Sequence, residues 1–113
     1  MSGTTNECTS ENLGDYVVVR LKGEVDLSWS QQVRKTILDA LGECGKVGVE
    51  LSQVSYIDSS GIAALVEGFQ NARSRNQKFG LVGVSGAVMA VLQLARLDRV
   101  FPIFADLDAA RSA

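Results

Sequence analysis

The spacing of apolar residues changes in the middle of the chain. Residues 47–51 alternate between apolar and polar side chains, as a half-buried strand does. Residues 62–69 instead place apolar side chains three and four positions apart, the spacing of one helix face: Ile62, Leu65, Val66 and Phe69. The pattern therefore predicts a strand and a helix joined by a short connection, and the most informative residues lie in that connection.

The connection ends in Asp58, Ser59 and Ser60, each of which can cap a helix by accepting a hydrogen bond from a free backbone N–H. The first turn of a helix carries unpaired N–H groups and the positive end of the helix dipole. It therefore suits an anion, including a phosphate on a serine of that turn. On physical grounds alone, simple capping is the more common role for such residues, and both interpretations stay open at this point.

The same periodicities predict alternating strands and helices along the rest of the chain. Strands are predicted at residues 16–23, 46–51, 79–84 and 100–104, and helices at 29–41, from the connection to about 75, at 86–95 and at 107–111. Ser28 with Gln31 predicts a capping box before the first helix. Residues 5–12 are expected to pair antiparallel with strand 16–23, and Pro102 places the last strand at an edge of the sheet.

This alternation indicates an α/β fold with a mainly parallel central sheet of four or five strands, an N-terminal hairpin and about four helices. Residues 1–12 are predicted to form a polar N-terminal arm or edge strand, and residues 13–113 a single domain. The carboxyl ends of parallel strands meet at one edge of a sheet. Asp26 and Ser60 each follow a strand, so we expect them to lie close together.

Composition narrows the possible chemistry. A formal net charge of -2 provides no basic field for binding nucleic acid. The sequence contains no apolar run of about 18 residues, the length that would predict a transmembrane helix. The polar first residues lack the apolar segment of a signal peptide, which predicts a cytoplasmic protein. The chain has no histidine, its two cysteines (Cys8 and Cys44) have no metal-site spacing, and no phosphate-binding loop is present. We therefore predict no enzyme activity, cofactor or metal.

Three segments carry a resemblance to a known family. They are residues 51–62 (LSQVSYIDSSGI), residues 21–26 (LKGEVD), and residues 79–85 (FGLVGVS) with Val88, Leu92 and Leu97. The sequence resembles the STAS domain, the family of bacterial anti-sigma factor antagonists and of the cytoplasmic tails of sulfate transporters, from about residue 16 to 104. The resemblance implies that the helices mainly cover one face of the sheet.

The resemblance also implies a mechanism. In antagonists of this family, a partner that is both anti-sigma factor and serine-protein kinase phosphorylates the second hydroxyl residue of the motif, which is Ser60 here; Ser59 is the alternative. The unphosphorylated form binds the partner, the phosphorylated form is released, and a serine phosphatase restores binding. The implied partner-binding residues are Asp26, Leu27, Asp58, Ser59, Ser60, Gly61 and Ile62. Gly61 is expected to let another backbone approach, whereas Ile62 also fits the helix core.

Two other functions compete with this one. Some STAS proteins are regulatory subunits of ABC-type lipid transporters and bind the transporter's ATPase through the same loop. A nucleotide hydrolase ranks last because the sequence has neither a phosphate-binding loop nor a catalytic base pair. The sequence predicts no particular oligomeric state.

Overall fold

The computed structural model describes residues 6–113, so the first five residues, including Thr5 of the predicted hairpin, lie outside the described part. The strands are β1 (Glu7–Asn12), β2 (Val17–Val25), β3 (Lys46–Ile57), β4 (Lys78–Val82) and β5 (Ile103–Phe104). The helices are α1 (Ser30–Glu43), α2 (Ser59–Ser74), α3 (Gly86–Leu94) and α4 (Leu107–Ser112), with a 3₁₀ turn at Leu97–Arg99. Among the described residues, no helix has the length and apolar character needed to cross a membrane.

The five strands form one sheet in the order β1-β2-β3-β4-β5. β1 runs antiparallel to β2, with Asn12 opposite Val17, and the other three pairs are parallel. The hairpin turn is closed by Asn12, whose side-chain oxygen accepts from the N–H of Gly14 at 2.8 Å. The predicted α/β class, the mainly parallel sheet and the hairpin are confirmed.

The side chains of each strand divide between the two faces of this sheet. Val17, Val19 and Leu21 belong to the main core with α1, α2 and α3, while Tyr16 and Val82 belong to a smaller cluster with Ala110 of α4. Since successive strand residues point to opposite faces, α4 packs on the face opposite the other three helices. The expectation that the helices mainly cover one face is confirmed.

β3 is longer than predicted and β5 is shorter. The polar residues of 52–56 resemble a loop, yet they pair with β2, for example Lys22 with Gln53. Two register irregularities in this pair break the simple alternation that the prediction relied on. At the other edge, the 3₁₀ turn and Pro102 leave only Ile103 and Phe104 in β5.

The predicted capping box at the start of α1 is wrong. α1 begins at Ser30 with Trp29 as its cap, and no side chain caps it. The Ser28 hydroxyl instead donates to the Asp26 carboxylate at 2.5 Å, and no N–H of the first turn of α1 donates to it. Trp29 packs partly buried against the core, and its indole N–H donates to the carbonyl of Glu24.

Candidate functional site

Two loops meet at the carboxyl ends of β2 and β3. Val25 and Ile57 are paired across these strands, so the next residues, Asp26 and Asp58, begin neighbouring loops. The N–H of Asp58 donates to the carbonyl of Val25 at 3.1 Å and ties the second loop to the end of β2. The structure thus places Asp26 and the loop that leads to Ser60 at the same end of the sheet, as the sequence predicts.

Asp58 holds the first turn of α2 through one carboxylate oxygen. Its Oδ1 accepts from the backbone N–H of Ser60 at 2.9 Å and of Gly61 at 3.1 Å, and from the Ser60 hydroxyl at 2.6 Å. The Ser60 hydroxyl is the main cause that lowers the pKa of Asp58, with further contributions from the N–H groups of Gly61, Ser60 and Leu27. A charged Asp58 therefore caps the helix and orients the Ser60 hydroxyl.

The loop after β2 repeats part of this geometry. Oδ1 of Asp26 accepts from the backbone N–H of Ser28 at 2.9 Å and from the Ser28 hydroxyl at 2.5 Å. Between these two residues, the side chain of Leu27 is 73% exposed, although its backbone N–H faces Asp58. The site therefore combines two carboxylate–serine turns with one exposed aliphatic side chain.

The hydroxyl and glycine residues of α2 differ in exposure. Ser59 is exposed and Ser60 is half-buried. Gly61 is buried, and a Cβ added to it would lie 2.6 Å from Cγ1 of Ile57 and 3.0 Å from the carbonyl oxygen of Val25. The expectation that Gly61 makes room for another protein's backbone needs correction, because the chain's own strands fill that space.

Ile62 is half-buried and packs against the main core. Leu65, one turn later, is fully buried. This placement agrees with the core role that the helical spacing predicts for both residues, and only the outer part of Ile62 remains available to a partner.

A shallow groove of about 180 Å³ separates the first turns of α1 and α2. Leu27 and Ser60 lie in its wall. Arg34 of α1 and Glu67 of α2, also in the wall, form an ion pair across it. Helix periodicity places both charged residues on polar faces but does not show which helices are neighbours, so the sequence alone does not reveal this pair.

A family model of the STAS domain matches residues 8–110. The chain belongs to the STAS domain family. The anti-sigma-B factor antagonist of Listeria monocytogenes is 24% identical to it over 90 residues, which cover 79% of each chain.

Solved structures share the fold of this STAS domain. An anti-sigma factor antagonist from Mycobacterium paratuberculosis superimposes with a TM-score of 0.85 at 23% identity, covering 96% of this chain and 92% of the other. The anti-sigma factor antagonist SpoIIAA in its unphosphorylated form gives a TM-score of 0.79 at 23% identity, with 92% of each chain covered. The phosphorylated form of the Bacillus protein gives 0.75 at 23% identity, covering 94% of this chain and 97% of that one.

Proposed function

We propose that this STAS domain is an anti-sigma factor antagonist that binds an anti-sigma factor with serine-kinase activity and is released when Ser60 is phosphorylated. The observation that carries the proposal is the Ser60 hydroxyl, which lies at the start of α2, 2.6 Å from the Asp58 carboxylate and in the same groove as Leu27. The domain acts by binding and is itself no enzyme. A serine phosphatase restores the binding form, and the cycle takes place in the cytoplasm.

In the unphosphorylated state, the proposed binding surface has an aliphatic centre with polar edges. Leu27 provides an exposed apolar side chain, and the outer part of Ile62 adds to it. Asp26, Ser59 and Ser60 provide polar groups around these side chains. Such a surface resembles a small interface core with a polar rim. Asp58 and Gly61 support this surface through contacts inside the domain. The Asp58 carboxylate accepts from the N–H of Gly61, and Gly61 packs against Ile57 and Val25.

Phosphorylation would change the charge of this surface without removing the cap. The phosphate replaces the hydroxyl proton that Asp58 accepts and brings about -1.5 to -2 charges next to a carboxylate. Repulsion from Asp58 turns the phosphate outward, towards the partner, while the positive end of the α2 helix dipole favours a negative charge at this position. Like charges and desolvation then oppose binding. Support for an unchanged fold comes from SpoIIAA, whose two solved forms both superimpose on this domain.

Ser59 remains the alternative acceptor. It is the first residue of α2, it is more exposed than Ser60, and a phosphate there would lie at the same helix N-terminus. Ser60 is preferred because its hydroxyl is already held by Asp58, whereas the cap formed by Asp58 does not involve the Ser59 side chain. The transporter-subunit alternative gains no support from the three relatives named above, each of which is an anti-sigma factor antagonist.

The test starts from the unphosphorylated protein as bait in a lysate of its own cells, with captured proteins identified by mass spectrometry. The affinity of the captured kinase is then measured for three forms: unmodified, with phosphoserine genetically encoded at position 60, and with phosphoserine at position 28. We expect phosphoserine at 60 to weaken binding on the order of 100-fold, about 2.7 kcal/mol, with an unchanged circular dichroism spectrum. Equal affinity of the unmodified and 60-modified forms would contradict the proposal.

A further inference from the structure

A second cavity lies at the opposite end of the sheet, where β3 and β4 begin. Its volume is about 280 Å³. Four aromatic rings line it: Tyr16, Phe69, Phe79 and Phe104. It lies between the last turns of α2 and the terminal helix α4, and it shares no lining residue with the groove at Ser60.

The strands beneath the cavity are shaped to hold two of these rings. A Cβ added to Gly48 would lie 2.3 Å from the hydroxyl oxygen of Tyr16, and one added to Gly80 would lie 2.6 Å from Cε2 of Phe104. No larger residue fits at either glycine without moving a ring. The low polarity of this region is reflected in Tyr16, since burial raises the pKa of its hydroxyl.

Tyr16 is one ionisable residue in the lining of the cavity. The other ionisable side chains of the lining are all cations: Lys46, Arg73 and Lys78. Within residues 6–113, none of the three forms an ion pair with a side-chain carboxylate, and Nζ of Lys78 donates to the main-chain oxygen of Ala113, also in the lining, at 3.4 Å. Arg73 lies over the ring of Phe69, 5.8 Å from its centre. Asp15 is near Lys46, but it is outside the lining and bound to Arg111 at 2.8 Å. In a chain of net charge -2, three such cations around one apolar cavity favour an anionic ligand.

One polar group in the wall of the cavity is incompletely satisfied. The side-chain amide of Gln77 donates to the carbonyl of Leu41 at 3.0 Å, but its oxygen Oε1 is buried and has no donor in the described part of the chain. Buried acceptors in folded proteins normally have a donor. A ligand with an N–H or O–H group can supply one after a small rotation of this side chain.

We propose that this cavity binds a small amphipathic carboxylate, with an aromatic or short aliphatic body among the rings and its carboxylate among Lys46, Arg73 and Lys78. Pockets for drug-sized ligands measure roughly 300–1,000 Å³. The volume of about 280 Å³ therefore selects a smaller molecule than a lipid or a nucleotide. The site is independent of the proposed phosphorylation at Ser60, because the two lie at opposite ends of β3.

Two matched probes test the charge requirement. Isotope-labelled protein is titrated with indole-3-acetate and with indole-3-acetamide, which has a similar shape and an indole N–H but no charge, while amide chemical shifts are recorded. We expect saturable shifts centred on Gln77, Phe79 and Gly80, with the carboxylate binding about 10-fold more tightly, a difference of about 1.4 kcal/mol. Equal affinity for both probes, shifts centred elsewhere, or no saturable shift up to about 10 mM would overturn the proposal.

Variants locate the binding residues. The double variant Lys46→Gln/Lys78→Gln should weaken indole-3-acetate about 10-fold and leave the amide unchanged. Lys35→Gln serves as the charge-matched control, since Lys35 is exposed on α1 and pairs with Asp39 at 2.9 Å. Ala110→Leu, which fills the cavity, should abolish binding of both probes in a protein whose thermal unfolding remains cooperative. Unchanged indole-3-acetate binding in the double variant or in Ala110→Leu would contradict the assignment.

Discussion

Two short turns in this protein have nearly the same internal geometry but different surroundings. In residues 26–28 and again in residues 58–60, an aspartate accepts from the backbone N–H and the hydroxyl of the serine two positions later. The hydroxyl contacts are 2.5 Å for Ser28 and 2.6 Å for Ser60, and both N–H contacts are 2.9 Å. The serine–carboxylate contact by itself therefore cannot distinguish a switch from an ordinary turn.

The two turns differ in how each one joins the next helix. Asp58 also accepts from the N–H of Gly61 and is the cap of α2, so Ser60 is in the first helical turn. α1 begins only after Ser28, with Trp29 as a cap that uses no side chain. Of the two serines, Ser60 lies within the first turn of a helix, where the positive end of the helix dipole favours an anion, whereas Ser28 precedes α1. The position of the helix, rather than the turn itself, therefore makes one serine suited to carry an anion.

The largest stability effect should come from the glycine that allows the second turn to pack. Gly61→Ala puts a Cβ 2.6 Å from Cγ1 of Ile57 and 3.0 Å from the backbone oxygen of Val25. We expect it to lower the free energy of unfolding by about 1–3 kcal/mol, measured by urea denaturation. Gly42→Ala is the control, since its added Cβ meets nothing within 4 Å. A loss at Gly61 no greater than at Gly42 would show that α2 can shift away from the strands.

The two aspartates should differ in their effect on stability. Asp58→Ala removes the cap of α2 and should cost about 1 kcal/mol. Asp26→Ala breaks only an exposed turn and should cost less than half as much, because no helix depends on that carboxylate. Thermal and urea denaturation of both variants measure the difference. Equal losses would mean that capping does not distinguish the two turns.

The smallest effect concerns the pKa of Asp58. Because Ser60 is the main cause of its lowered pKa, Ser60→Ala should raise that pKa towards the ordinary value, while Ser28→Ala should not. A lowered pKa in the folded state stabilises the protein above the unfolded-state pKa of about 3.9, and this stability is lost as pH falls through the folded pKa. In Ser60→Ala, the stability that Asp58 contributes should therefore be lost at a higher pH than in the unsubstituted protein. Titration followed by carboxyl chemical shifts measures the Asp58 pKa in both variants. An unchanged Asp58 pKa in Ser60→Ala would count against the hydrogen bond from the Ser60 hydroxyl to Asp58.

The main architecture could be predicted from the sequence. Period-two segments and helical spacing located β2, β4 and all four helices to within a few residues, and the antiparallel pairing of residues 5–12 with the next strand was expected. The extension of β3 to Ile57 was missed because register irregularities place polar residues in a paired strand. Ser28 was expected to cap α1, but the N–H of Ser30 donates to the backbone carbonyl of Asp26, and the Ser28 hydroxyl contacts the Asp26 carboxylate.

The candidate site was predictable only in part. Sequence order was enough to place Asp26 and Ser60 at one edge of a parallel sheet, where the structure has them. The inward position of Gly61 and the ion pair between Arg34 and Glu67 depend on how α2 packs against its neighbours, which no local pattern records. The aromatic cavity likewise joins residues from β2, β4, α2 and α4 that are far apart in the chain.

Mapping the phosphate on the protein from its own cells tests the proposed switch most directly. Trypsin separates the two turns, because Ser28 falls in the peptide of residues 23–34 and Ser60 in that of residues 47–73. Under conditions that preserve phosphate, fragmentation of the second peptide distinguishes Ser60 from Ser59. We predict a single phosphate on Ser60 and an unmodified Ser28. Phosphate on Ser28 alone, or no phosphate across growth and stress conditions, would contradict the central claim.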